Sequence, residues 1–164
     1  MTDPAQAAVA VDAPAPDFDL PRDGDGDGDG RVSLADLKGK KVVLYFYPKA
    51  DTSGCTKQAI GFTERAADFE AAGAVVLGVS KDPVKKLDKF RDKHELGVAL
   101  LSDEETDVCE RYGVWVEKSM YGKKYMGIER STFLIDGDGV VKQVWRKVKV
   151  PGHVDAALDA VKAL

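Results

Sequence analysis

The chain has 164 residues, 44% hydrophobic and 32% charged, which suits one globular domain that buries a core without metal or disulfide staples. Its 24 basic and 28 acidic residues give a formal net charge of -4, and the lack of a basic surplus argues against nucleic acid as the main partner. No apolar run approaches the ~20 residues that span a bilayer, so no membrane partner is expected. Two cysteines, Cys55 and Cys109, make no disulfide framework, and a reducing, cytoplasmic setting is the expectation.

Residues 1–14 are rich in Ala and Pro. They lack a basic segment, and Asp3 and Asp12 interrupt the apolar run, so they read as a mobile tail rather than a signal peptide. One domain then runs over 15–164. "DFDL" alternates and predicts a short strand, "DGDGDGDG" a turn, and "VSLADL" a second short strand with a turn. "KKVVLYFY" is β-branched and aromatic on both faces, which predicts a central strand buried on both sides. Ala59, Ile60, Phe62, Ala66 and Phe69 recur near helical spacing, which predicts a helix over 54–72 with Gly73 just past its end.

"AVVLGVS" predicts another buried strand. Asp82-Pro83 reads as the N-cap and first position of a helix striped by Val84, Leu87, Phe90 and His94. "VALLS" is a third strand, "DEETDVCERYG" a short helix, and 114–129 a long loop. "STFLID" and "VVKQVWR" flank Asp136-Gly137-Asp138-Gly139, a hairpin signal. "HVDAALDAVKAL" is a terminal helix. Parallel strands with crossover helices, closed by an antiparallel hairpin, indicate an α/β fold: a mixed central sheet flanked by helices, with an N-terminal β-hairpin.

The chemistry concentrates in "YPKADTSGCTKQAI", where a strand leads into a helix and Cys55 sits at the join. The thiolate is the reactive form of cysteine, and the free N–H groups and partial positive charge of a helix N-terminus favour it. Thr52 or Ser53 is the expected N-cap. The same N–H groups suit an oxygen-bearing substrate held against the sulfur. A buried cysteine acting as a small apolar residue is the competing reading. Cys55 is followed by Thr56, Lys57 and Gln58, so there is no Cys-x-x-Cys pair for dithiol exchange.

"YFYPKADTSGCTKQAIGF" resembles the active-site segment of the peroxiredoxins, matching their P-x-x-x-T-x-x-C pattern at Pro48, Thr52 and Cys55. More narrowly it is similar to the bacterioferritin-comigratory, or Q-type, subfamily, whose segment reads close to "YPKADTPGCTKEAC". "VLGVSKDPVKKLDKF", "LLSDEETDVCERYGVW" and "GIERSTFLID" match in order, so the resemblance runs from about residue 15 to the C-terminus. It implies a thioredoxin-like fold and a thiol peroxidase acting on hydrogen peroxide and organic hydroperoxides, without a cofactor. It implies Cys55 as the peroxidatic cysteine, oxidised to a sulfenic acid, and Thr52 as a hydrogen-bond donor to thiolate and peroxide. Pro48 would shield the site, and Arg130 would bring fixed charge to the sulfur. Backbone N–H groups at Gly54 and Cys55, with Ser53 beside them, would hold peroxide oxygen. Without the resemblance Arg130 reads as a surface strand-end arginine.

Two departures stand out. Ser53 replaces the usual proline, and Ile60 occupies the place of the usual resolving cysteine. The helix after "VSKDP", where a second group of relatives carries its resolver, has no cysteine either. The expectation is therefore a one-cysteine peroxidase, reduced by thioredoxin, glutaredoxin or a low-molecular-weight thiol, and the chain is expected to be monomeric or weakly associating. The alternatives are Cys109 as an unusual resolver against Cys109 as a core residue, and a thiol–disulfide transferase built on Cys55.

"DGDGDGRVSLAD" (25–36) fits calcium-loop spacing, with Asp25, Asp27, Asp29, Ser33 and Asp36 at ligand positions. "PAPDFDLP" cannot supply the preceding helix, so an acidic turn is the favoured reading; weak calcium binding, and with it a calcium-responsive module built on an inactive fold, is the rival non-enzyme reading. His94 and His153 show no ligand spacing, and no metal is expected.

Overall fold

The computed structural model describes residues 9–23 and 30–164. Three of the calcium-loop carboxylates, Asp25, Asp27 and Asp29, and residues 1–8 of the expected tail lie outside the described residues. Within them the strands are β1 (Asp19–Pro21), β2 (Arg31–Ser33), β3 (Lys41–Phe46), β4 (Ala74–Ser80), β5 (Ala99–Ser102), β6 (Trp115–Met120), β7 (Lys123–Ile128), β8 (Ser131–Ile135) and β9 (Val141–Trp145). The helices are α1 (Ser53–Glu64), α2 (Ala66–Ala71), α3 (Val84–His94), α4 (Val108–Arg111) and α5 (His153–Lys162).

The central sheet runs β5-β4-β3-β8-β9, with β3, β4 and β5 parallel and β8 and β9 added antiparallel. β3 is the middle strand, as its two-sided apolar sequence predicts. Its side chains alternate between two cores. Val42, Leu44 and Phe46 pack with Phe18, Cys109, Tyr112 and Phe133. Val43 and Tyr45, with Tyr47 just beyond, pack with Cys55, Phe62, Phe69 and Phe90. The two cysteines therefore belong to opposite faces of the sheet. β1 and β2 form the predicted N-terminal hairpin.

Four expectations are corrected. Segment 114–129 is no loop: β6 and β7 pair antiparallel from Trp115↔Ile128 to Met120↔Lys123. Their two-residue turn, Tyr121-Gly122, has φ of 52° and 80°, the positive-φ pair that matches strand twist. A Tyr-Gly turn lacks the Asn or Asp that advertises such hairpins. The helix expected over 54–72 breaks at Arg65 (φ -103°, ψ 7°) into α1 and α2. Thr63 Oγ1 donates to Ala59 O at 2.8 Å, a side-chain-to-backbone bond that bends helices, just before the break.

Helix α3 begins at Val84 with Pro83 as N-cap, because the Asp82 carboxylate is engaged elsewhere. It accepts from Ala50 N at 2.7 Å and from Ser80 Oγ at 2.9 Å. The tail expected to be mobile up to residue 14 is anchored from Val9, which is buried. Asp12 N donates to Val141 O, and Val141 N donates to Ala13 O, extending the β9 edge. Gly73 does follow α2 at φ 80°, and Asp136 closes the β8–β9 turn by accepting from Asp138 N and Val140 N.

Candidate active site

Cys55 is the third residue of α1, and it is almost wholly buried. The strand-to-helix connection places it there. β3 ends at Phe46, and Tyr47 N still pairs with Val79 O before the chain turns through half-buried Pro48. Asp51 takes a positive φ of 63°, and Thr52 caps the helix in extended conformation (φ -89°, ψ 157°). Thr56 N closes the first turn on Thr52 O at 2.8 Å. The N–H groups of Ser53, Gly54 and Cys55 consequently have no acceptor within the helix.

The loop is tied at two points. Ala50 N donates to buried Asp82. Asp51 accepts from Lys93 Nζ and His94 Nε2, both at 2.9 Å, at the end of α3. Those bonds, His94 first and then Lys93, hold the Asp51 carboxyl below the usual carboxylate range. A sequence reading that makes Asp82 a helix cap misses its role as the loop's anchor.

Arg130, between β7 and β8, reaches across to the helix mouth. Its Nη2 donates to Cys55 Sγ at 3.3 Å, and its Nη1 donates to Gln58 Oε1 at 2.6 Å. A fixed positive charge therefore faces any negative charge that develops on sulfur. The approach depends on Gly54, where a Cβ would lie 3.1 Å from Arg130 Nη2. The backbone of Arg130 is fixed by its carbonyl, which accepts from Val148 N at 2.9 Å.

Gln58 was not among the residues singled out from sequence. It lies one turn beyond Cys55 on the buried face of α1, and it is fully buried. Its spacing to Cys55 was the available signal. Its Nε2 has no partner among the described residues. Tyr45 forms the floor of this face, stacked on Phe62 with ring centroids 4.7 Å apart. The Tyr45 hydroxyl is buried and unpartnered among the described residues. Burial raises its pKa far above the usual tyrosine value, and the nearby Cys55 and Asp23 add to the rise.

Of the residues singled out from sequence, the structure brings Cys55, Gly54 and Arg130 into contact. Thr52 is at the helix mouth, but its hydroxyl donates to Lys49 O at 2.8 Å rather than to the sulfur. Ser53 is exposed in the first turn, and Pro48 flanks the loop. Cys109 is not part of the constellation. It is fully buried under the opposite face, its N–H given to Asp103 Oδ2 at 2.7 Å. Burial, then the Asp103 carboxylate, raises its thiol pKa far above the ordinary range. Cys109 is thus held as a neutral thiol. Among the described residues, no cluster of three or more His, Cys, Asp or Glu side chains is arranged to hold a metal ion.

The AhpC/TSA family pattern matches residues 11–144. A putative peroxiredoxin bcp of Coxiella burnetii is 60% identical over 75% of this chain and 82% of its own length. Peroxiredoxin Bcp of Escherichia coli is 47% identical over 80% of this chain and 85% of its own. Among solved structures, the Xanthomonas campestris bacterioferritin comigratory protein, studied for alkyl peroxide reduction in trapped intermediate and ligand complexes, superposes with a TM-score of 0.86. It is 42% identical, over 99% of this chain and 98% of its own.

Proposed function

This chain belongs to the AhpC/TSA family and is a thiol-dependent peroxidase, and we propose that Cys55 is its peroxidatic residue. The observation that carries this is the Arg130 guanidinium at 3.3 Å from Cys55 Sγ, held from behind by Gln58. The Cys55 thiolate attacks the terminal oxygen of a hydroperoxide. An S–O bond forms, the O–O bond breaks, and the second oxygen leaves as water or an alcohol after taking up a proton. Arg130 faces the charge that moves from sulfur to the leaving oxygen. The free N–H groups of Ser53, Gly54 and Cys55 suit the peroxide oxygens. Pro48 screens the pocket from water. Thr52 serves through its hydroxyl, which must turn from Lys49 O to reach sulfur or substrate.

We infer a one-cysteine cycle. Cys109 lies under the other face of the central sheet and is held as a thiol by burial, so joining the two sulfurs at the ~2 Å of a disulfide would mean dismantling both cores. The Cys55 sulfenic acid is instead attacked by an external thiol, releasing water and forming a mixed disulfide. A second thiol then regenerates Cys55. Thioredoxin, glutaredoxin and small thiols all fit that chemistry, which needs no cofactor.

The test is intact mass after one equivalent of hydrogen peroxide, with a sulfenic-acid trap present. An adduct on Cys55 is expected. A loss of about two mass units with no adduct means that Cys109 resolves. No change in mass overturns Cys55 as the peroxidatic residue.

A further inference from the structure

Beside the Cys55–Arg130 pair, the base of the β6–β7 hairpin and the start of the loop after β9 enclose a cleft of about 620 Å³. Four cations line it: Lys118, Arg130, Arg146 and Lys147. Among the described residues none of the four takes part in an ion pair. The lining also carries Glu117 and Glu129. Glu117 is drawn to Lys124 on the neighbouring strand, at 3.7 Å. The formal balance of the lining is four positive against two negative, so the cleft carries a net charge of +2.

Lys118 is aimed into this space by its neighbour across the hairpin. Val116 pairs with Gly127 and Lys118 with Tyr125. A Cβ on Gly127 would meet Lys118 Cδ at 3.3 Å and Cε at 3.6 Å, so the lysine stem lies across the glycine. A stem laid on the backbone restricts where the ammonium can go. Partial burial, then the charge of Arg130, lowers the Lys118 pKa, while Cys55 and Glu129 act the other way. Arg146 is fixed differently: its Nη1 donates to Gly113 O at 3.2 Å, and its guanidinium carbon lies 5.7 Å from the Phe133 ring centre. Lys147 follows with a positive φ of 49° and an exposed side chain.

Arg130 faces the Cys55 sulfur, which leaves Lys118, Arg146 and Lys147 as the cations with no opposite charge bound to them among the described residues. Cations gathered in one partly enclosed cleft repel each other, and an anion relieves that repulsion. We propose that this cleft is a subsite for the carboxylate of a small molecule reacting at Cys55, with Lys118 and Lys147 as its binding cations. The proposal rests on the peroxidase reading. It adds a substrate class: reactants whose reacting oxygen or sulfur and whose carboxylate are separated by a short chain. The carboxylate can belong to an organic hydroperoxide or to the thiol that reduces the sulfenic acid. Both react at the same sulfur, which Arg130 joins to the cleft.

The test uses the full chain in two stopped-flow steps. The first follows oxidation of reduced Cys55 by a short-chain hydroperoxy carboxylic acid and by its methyl ester. The second follows reduction of the sulfenic acid by mercaptopropionate and by its methyl ester. An acid-to-ester rate ratio of about five or more in either step is expected at low salt, the upper range for a partly exposed ion pair. It should fall as salt rises. An advantage in the first step assigns the site to the hydroperoxide, and one in the second assigns it to the thiol. Lys118→Gln and, separately, Lys147→Gln should each lower the ratio toward one. Ratios near one in both steps for the native chain, or a ratio unchanged in both variants, overturn the subsite. Oxidation by the ester with no acid advantage leaves the peroxidase reading standing. No oxidation by any peroxide overturns both.

Discussion

His153 opens α5 and is 6% exposed. Its Nε2 lies 2.8 Å from the buried Thr132 hydroxyl, and its ring meets Phe62 and Trp145 edge-on at 6.3 and 5.5 Å. Burial, with Arg130 nearby, pushes its pKa from 6.5 down to about 4. The folded chain therefore excludes a proton that the unfolded chain binds between those values. Stability contributed by neutral His153 is fully present above pH 6.5, declines as pH falls, and is gone by about pH 4. At about 1.4 kcal/mol per pH unit across that gap, the loss at pH 4.5 is about 2 to 3 kcal/mol. His153→Gln keeps a hydrogen-bonding group toward Thr132 and removes the titration. Urea unfolding followed by tryptophan fluorescence, at pH 7.5 and 4.5, compares the two chains, and carboxylate titration cancels in the difference. The native chain should lose about 2 to 3 kcal/mol more than the variant. A difference below about 0.5 kcal/mol, or a His153 titration midpoint near 6.5 by NMR in the folded chain, refutes the reasoning.

Arg130→Gln should slow Cys55 oxidation about a hundred-fold, the cost of one preorganised donor to a reacting centre, as read by stopped-flow with hydrogen peroxide. Gln58→Ala should slow the same step about ten-fold by freeing Arg130, with Gln58→Glu restoring most of it; the split between variant and rescue separates positioning from packing. Cys109→Ala should leave Cys55 oxidation and thiol-supported turnover unchanged, and loss of turnover with the oxidation rate intact would count for a resolver. Tyr45→Phe removes a buried hydroxyl with no partner among the described residues. It should stabilise the fold by about 1 kcal/mol, raising Tm by about 2 to 4 °C in a calorimetric scan. Peroxide in excess without thiol should carry Cys55 to the sulfinic state, seen as a gain of two oxygens in intact mass.

The central strand, the helix mouth at Cys55 and the α/β order were legible because each is written locally. Continuous β-branched and aromatic runs, turn residues and a cysteine after Thr-Ser-Gly need no partner elsewhere in the chain to be read. The resemblance extended that to Arg130, which residue type alone places on the surface. What failed to read was decided by contacts distant in sequence. Asp82 reads as a cap, yet it is taken by Ala50, 32 positions away. Gln58 reads as one polar residue in a helix until Arg130, 72 positions on, arrives at its oxygen. The β6–β7 hairpin is the exception, a local pairing that reads as a loop because its turn is Tyr-Gly and its faces are mostly exposed, so no hydrophobic period marks it.

Sequence by itself marked Cys55 as the candidate nucleophile and showed that the usual resolving position holds isoleucine. Only the tertiary structure decided which face of the sheet each thiol occupies. Side chains alternate along β3, so the helix packed on one face carries Cys55 and the helix on the other carries Cys109. That separation follows from layer packing and from no local signal around either cysteine.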